Sequence, residues 1–248
     1  MTEFVIEIAG CAIGVAALFE STRDFCEAYL SEHMPRFSVT LTLEDIELER
    51  EISAREDRLE GRKVQNYSDA YLETIALQRK IARRLISSDI LLFHGSTIAV
   101  NGACYLFTAK SGTGKSTHVR LWRELLGRHA VMVNDDKPFL HVGSEGVTAF
   151  GTPWNGKHRL GSNIAVPLKA ICILERGEEN DICPIEPKDA LSILFQQSHR
   201  PADSRLMGKY LELLDGLANS VAFYRLRCNM DPQAAVLAYE TMSGENFK

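Results

Sequence analysis

The run Ala109-Lys110-Ser111-Gly112-Thr113-Gly114-Lys115-Ser116 fits the pattern G-x-x-x-x-G-K-[S/T] at every fixed position but the first, where alanine replaces glycine. Such a loop is built for phosphate. Its glycines let backbone N–H groups converge on an anion, the helix that follows adds positive potential, and a lysine and a hydroxyl complete the cradle. Lys115 is expected to bridge the terminal phosphates and Ser116 to offer an oxygen to Mg²⁺. Ser111, Gly112, Thr113, Gly114, Lys115, Ser116 and Thr117 are therefore the expected nucleotide-binding residues, with ATP and Mg²⁺ as the cofactors.

Two further groups could act on a bound nucleotide. Asp135-Asp136 closes a short apolar run, and adjacent carboxylates beside Mg²⁺ suit phosphoryl transfer, which is mostly positioning and charge neutralisation. The blander reading is a strand-to-turn pair. The segment 151–161 packs Pro153 and three glycines into a tight loop carrying Lys157, His158 and Arg159, three potential phosphate donors on one turn. An ordinary surface turn with a packed Trp154 is the alternative. Arg176 and Arg200 are weaker candidates, and His118 is expected to pack or cap just after the loop.

Elements of suitable type surround these residues. Apolar runs at 90–93 and 97–100 lead through Asn101-Gly102, a strong hairpin signal, into a third strand at 104–108. A helix follows from Lys115, with Val119, Trp122, Leu125 and Leu126 on one side and Gly127 as its stop. Strand, glycine loop and helix is the order that a phosphate loop needs. Beyond it we expect a strand at 130–133, a hairpin over 139–150, a strand at 170–174, helices at 187–197 and 202–217, a strand at 220–225 and a last helix from Asp231. Upstream, residues 5–19 predict two buried strands broken at Gly10 or Gly14, residues 44–62 a solvated charged face or mobile loop, and the stretch from Asp69 an amphipathic helix capped by Ser68.

At His94-Gly95, the loop 109–116 and Asp135-Asp136 the chain resembles the HPr kinase/phosphorylase family, and more distantly the ATP-dependent phosphoenolpyruvate carboxykinases. In that family a His-Gly dipeptide precedes a hairpin, the glycine loop follows, and the next strand ends in Asp-Asp. The resemblance is specific over residues 90–140 and loose elsewhere, and the segment 151–161 departs from the family pattern. It implies an α/β fold with a mixed β core flanked by helices at 89–248, and a smaller N-terminal α+β portion at 1–88 that presents or recognises the acceptor. It also implies roles: Asp135 as general base, Asp136 as metal ligand, and His94 as a group that orients the transferred phosphoryl. With Lys115 and Arg159 these form the expected catalytic set.

The implied activity is Mg-ATP-dependent transfer to a hydroxyl on a peptide, a protein or a small molecule. A nucleotide-gated binding module is the main alternative. A carboxykinase is disfavoured, because no second-metal constellation precedes the loop. Composition narrows the partners. The 28 Lys and Arg against 33 Asp and Glu leave a net charge of −5, which offers no field for a nucleic-acid backbone. Neither a membrane partner nor a nucleic acid is expected, and a homo-oligomer stays open. Six cysteines without a C-x-x-C pair read as buried thiols of a cytoplasmic protein.

Overall fold

The apolar run near the N-terminus folds as a hairpin of β1 (Thr2–Ile8) and β2 (Cys11–Ala17), with Ile8 opposite Cys11. Ala9 and Gly10 both take positive φ, 52° and 69°, as a two-residue turn matched to strand twist requires. The break is therefore at Gly10. Gly14 sits inside β2, where a Cβ would come within 2.6 Å of Ser38 Oγ, so this glycine serves close packing and not a turn. The computed structural model describes residues 1–59, 61–110 and 112–247, and divides into two compact units, Met1–Arg84 and Leu85–Lys248.

In the first unit, α1 (Glu20–Phe25) leads to β3 (Phe37–Thr40), which lies parallel to β2. Two helices follow, α2 (Leu43–Leu59) and α3 (Asp69–Leu85). The charged stretch 44–62 is neither a mobile loop nor wholly solvated. Thr42 and Asp45 cap α2 reciprocally, and two of its carboxylates turn inward, Glu49 pairing Arg79 at 2.7 Å and Asp57 pairing Arg62 at 3.0 Å. Alternating charge hid this, because an inward carboxylate with an arginine partner has the same composition as a surface pair. Ser68 does cap α3, accepting from the Tyr71 N–H at 3.3 Å.

The second unit contains β4 (Ile90–Leu92), β5 (Ser96–Val100), β6 (Ala103–Thr108), α4 (Lys115–Leu126), β7 (Ala130–Asn134), β8 (Phe139–Gly143), β9 (Gly146–Phe150), β10 (Ala165–Arg176), β11 (Asp181–Pro184), α5 (Pro187–Gln197), α6 (Met207–Ser220), β12 (Ala222–Cys228) and α7 (Gln233–Ser243). The strands form one mixed sheet in the order β4-β8-β9-β10-β6-β5-β7, with β12 on β10 and β11 on β12. The β5–β6 hairpin turns at Asn101-Gly102, both at positive φ. Strand β10 is longer than its apolar run 170–174. Its first residues pair antiparallel to β9 and the rest lie parallel to β6 and β12, so it joins two differently connected parts of the sheet.

Other boundaries move. The helix expected from residue 202 starts at Met207 after a single tight turn capped by Asp203, and β12 runs on to Cys228. The four-residue β11 carries too short a pattern to read. Cys183, which lies on it, is exposed and Cys228 is only partly buried, contrary to the expectation of six buried thiols, whereas Cys11, Cys26, Cys104 and Cys172 are buried. Among the described residues no helix is long and apolar enough to cross a membrane.

Helices cover both faces of this sheet. One apolar cluster joins Phe93, Leu106 and Ile171 to Leu194 of α5 and to Tyr210, Leu213 and Leu217 of α6; another joins Phe107 and Tyr105 to Trp122 of α4 and Tyr239 of α7. His118 packs within the second, edge-on to Phe107 with ring centroids 4.8 Å apart, and neither ring nitrogen has a hydrogen-bond partner among the described residues. Burial pulls its imidazole down from 6.5 to about 4. As pH falls the unfolded chain therefore takes up the proton first, so stability is full above 6.5 and drains as pH approaches 4, by about 3 kcal/mol from this group. Both tryptophans, Trp122 and Trp154, lie in the second unit and report its unfolding. Urea titrations followed by tryptophan fluorescence should show His118→Leu flattening the acid limb between pH 6.5 and 4 by that amount.

Candidate active site

Strand β6 runs directly into the glycine loop, and the loop into α4. Gly112 and Gly114 take φ of 76° and 121°, conformations open to glycine and costly for other residues. Thr113 closes the turn, its N–H and hydroxyl both donating to Lys110 O, at 3.2 and 2.8 Å. Lys115 Nζ donates to Ala109 O at 3.3 Å, and Arg176 reaches across to Gly112 O at 2.6 Å. Ser116 and Thr117 open the first turn of α4, with the Ser116 hydroxyl exposed, where the helix N-terminus favours an anion. Ser111 lies outside the described residues.

The two aspartates stand at the end of β7 and face different surroundings. Asp136 Oδ1 lies 3.2 Å from His94 Nε2. Burial alone would raise its carboxyl, but the His94 hydrogen bond and the charges of Lys137, His94 and Lys115 outweigh this and hold Asp136 below the ordinary carboxylate value. Asp135 goes the other way. Burial raises it, the adjacent Asp136 charge adds to the rise, and backbone donors from Gly156 and Leu160 only partly offset them. His94 is lowered, chiefly by burial, against the pull of Asp136.

Lys115 acts electrostatically on both His94 and Asp136, so the glycine loop, the histidine and this carboxylate converge. A cavity of about 410 Å³ beside them has Ser116, Thr117, Asp135 and His158 in its wall. His158 is thus brought to the site. Lys157 and Arg159 are on the same exposed turn, where Arg159 holds a left-handed φ of 49° and donates its N–H to Gly156 O, but neither lines that cavity. Arg200 does not line that cavity; its guanidinium lies 5.6 Å from the ring centre of Phe195.

Residues 62–232 match the family model described as SynChlorMet cassette protein ScmC. The chain belongs to the ScmC family. None of the curated proteins matches it. Among solved structures, the Hpr(Ser) kinase/phosphatase from Coxiella burnetii is similar at 13% identity over 62% of this chain and 93% of that one, with a TM-score of 0.33.

In this ScmC-family chain the sequence reading missed the residue that ties the site together. Asn134 is fully buried. Its Nδ2 donates to Thr152 Oγ1 at 3.0 Å and to Thr152 O at 3.2 Å, while its Oδ1 accepts the N–H groups of Asp136 at 2.8 Å and Lys137 at 2.6 Å. An asparagine ending an apolar strand before two aspartates is a legible Asx-turn signal. Lys137, next to the pair, was equally unread. Asn134→Ala should leave these groups unpaired in a dry interior, lowering stability by about 2–4 kcal/mol, read by tryptophan fluorescence in urea.

Proposed function

We propose that the chain is a Mg-ATP-dependent phosphotransferase that moves the γ-phosphoryl group to a hydroxyl. One observation carries this reading: a strand–glycine loop–helix junction bearing Lys115 converges on a carboxylate pair whose two members are pushed in opposite directions. Opposed environments on neighbouring carboxylates are how one site obtains both a base and a permanently charged ligand. The resemblance to HPr kinases at His94-Gly95, 109–116 and Asp135-Asp136 supports it.

Backbone N–H groups of 112–117 and the Lys115 ammonium hold the phosphates of ATP. Ser116 Oγ and the Asp136 carboxylate, kept ionised, are hard oxygen donors of the kind Mg²⁺ takes, and such an ion completes its shell from phosphates and water. When bound, Mg²⁺ supplies charge neutralisation at the phosphates. His94 fixes the Asp136 carboxylate through Nε2. The acceptor hydroxyl oxygen then bonds to the γ-phosphorus as the bond to the bridging oxygen of ADP breaks, and Asp135 receives the hydroxyl proton. His158, with Lys157 and Arg159 on the same turn, adds donors for the transferred group. The acceptor hydroxyl belongs to a peptide, a protein or a small molecule.

The roles separate by experiment. Lys115→Ala should abolish transfer and weaken MgATP binding strongly in calorimetry. Asp135→Asn should bind MgATP almost normally and lose at least about 10²-fold in transfer of labelled phosphate to serine peptides, the range for loss of a general base. Asp136→Asn should instead weaken metal-dependent ATP binding. Normal transfer by both aspartate variants would sink the proposal, and ATP binding without transfer would favour a nucleotide-gated module.

A further inference from the structure

The cavity beside Asp135 is walled off on its β7 side. Gly156 and Leu160 donate backbone N–H groups to the Asp135 carboxylate, Asn134 bridges Gly161, and Ser162 N donates to Val133 O at 3.2 Å, so the 156–162 turn lies along the end of β7 and takes up its outer edge there. An extended peptide has no free ladder to join at those residues. What remains is a hollow of about 410 Å³, within the range of ~300–1,000 Å³ that sites for small molecules occupy.

Ser116 and Asp135 mark the reacting end of this hollow, where the phosphates and the base of the proposed transfer stand. Arg120 and Arg123 follow Ser116 at i+4 and i+7, on the same face of α4, and their positions lie about 6 and 10 Å further along the helix. Both are exposed, and Arg120 Nη1 donates to Glu124 Oε1 at 2.6 Å, one turn further from the glycine loop, so this guanidinium is turned away from the nucleotide end. An exposed pair of that kind is worth little in water, and Arg123 has no ion-pair partner among the described residues. Asp135 is the one carboxylate among the described residues of the wall, so the two arginines leave it positive away from the reacting end, while Val119, Met132 and Leu160 add apolar surface. In the sheet β7 and β10 lie on opposite sides of β6, so the cavity and the Arg176–Gly112 contact flank the glycine loop from two directions. A nucleotide and an acceptor can meet at the loop from separate sides.

We infer that the cavity takes a small acceptor molecule carrying both a hydroxyl and an anionic group, a carboxylate or a phosphate, with the hydroxyl at Asp135 and the anion held by Arg123 and Arg120. Arginine suits either anion, because its planar fork matches both in two parallel hydrogen bonds. The acceptor oxygen bonds to the γ-phosphorus, ADP leaves, Asp135 takes the proton, and the product is a phosphate ester of the same anionic molecule. This rests on the phosphotransferase reading and adds the chemical class of its acceptor.

The test gives the full chain γ-labelled MgATP and three series matched in length from three to seven carbons: ω-hydroxy acids, ω-hydroxyalkyl phosphates and, as the uncharged reference, diols. In at least one anionic series kcat/KM should exceed that of the matching diol at least about tenfold, and the series that gains names the anion. Arg120→Gln with Arg123→Gln should erase the gain through KM, while MgATP affinity in calorimetry stays at the parent value. Arg120→Gln with Arg123→Glu should instead favour amino alcohols over the diols, a gain that misfolding cannot produce. Diols equal to both anionic series, an uncharged serine peptide outrunning every member of them, no labelled small molecule at all, or lost MgATP affinity in the arginine variants with acceptor preference unchanged would each overturn the inference. The phosphotransferase reading fails separately, on whether Lys115→Ala weakens MgATP binding.

Discussion

A single buried amide sets the geometry from which the site is built. Asn134 cannot be left unpaired at zero exposure, and it is satisfied only when β7 ends where it does, with Thr152 on one side and the N–H groups of Asp136 and Lys137 on the other. The main chain of the aspartates is then held from the β5 side, Gly95 N donating to Asp136 O and Ser96 Oγ to Asp135 O, both at 3.0 Å. Thr152 Oγ1 donates in turn to Lys137 O at 2.8 Å, closing the ring. Neither carboxylate takes part in this ring: Asp135 Oδ1 accepts the Gly156 N–H, and Asp136 Oδ1 faces His94 Nε2.

Because backbone and side chains are held separately, two adjacent residues of the same type can differ. The chain bends at the pair just after β7, and one side chain goes to His94 and the lysine charges while the other goes to the Gly156 backbone and the cavity. The first is held below the ordinary carboxylate value and the second is raised above it. Identical chemistry in the sequence therefore becomes two environments in the fold, and the turn at 155–160 is what makes the second.

This explains which parts were legible in the chain and which were not. Hairpins at Asn101-Gly102 and 139–150, the Ser68 cap and the start of α4 depend on neighbours a few residues apart, and local pattern carries them. The length of β10 and the existence of β11 depend on partners far along the chain, and periodicity over a few residues contains neither. The same division runs through the site. The loop 109–117 is contiguous and its residue types announce themselves, whereas the pairing of His94 with Asp136, and the contact of Arg176 with Gly112, join residues 42 and 64 positions apart (136 − 94; 176 − 112). Asn134 was readable in principle, but its partner Thr152 lies beyond a hairpin, so only the turn half of its role was local.

The one departure from the glycine-loop pattern follows from the same physics. Ala109 does not take positive φ, so glycine's freedom is not required there, while the positions that do take it, Gly112 and Gly114, are glycines. Its methyl group is buried with Phe107, Val119 and Trp122, so alanine adds apolar contact at the point where β6 leaves the sheet, and its carbonyl still accepts from Lys115. The first residue of the loop thus belongs to the core, and among the described residues the positive-φ backbone begins at Gly112. Since α4 is anchored in that same cluster by Val119 and Trp122, both ends of the loop are fixed by packing, so the described positions Gly112–Gly114 are held between two anchored elements and not by the loop's own contacts alone.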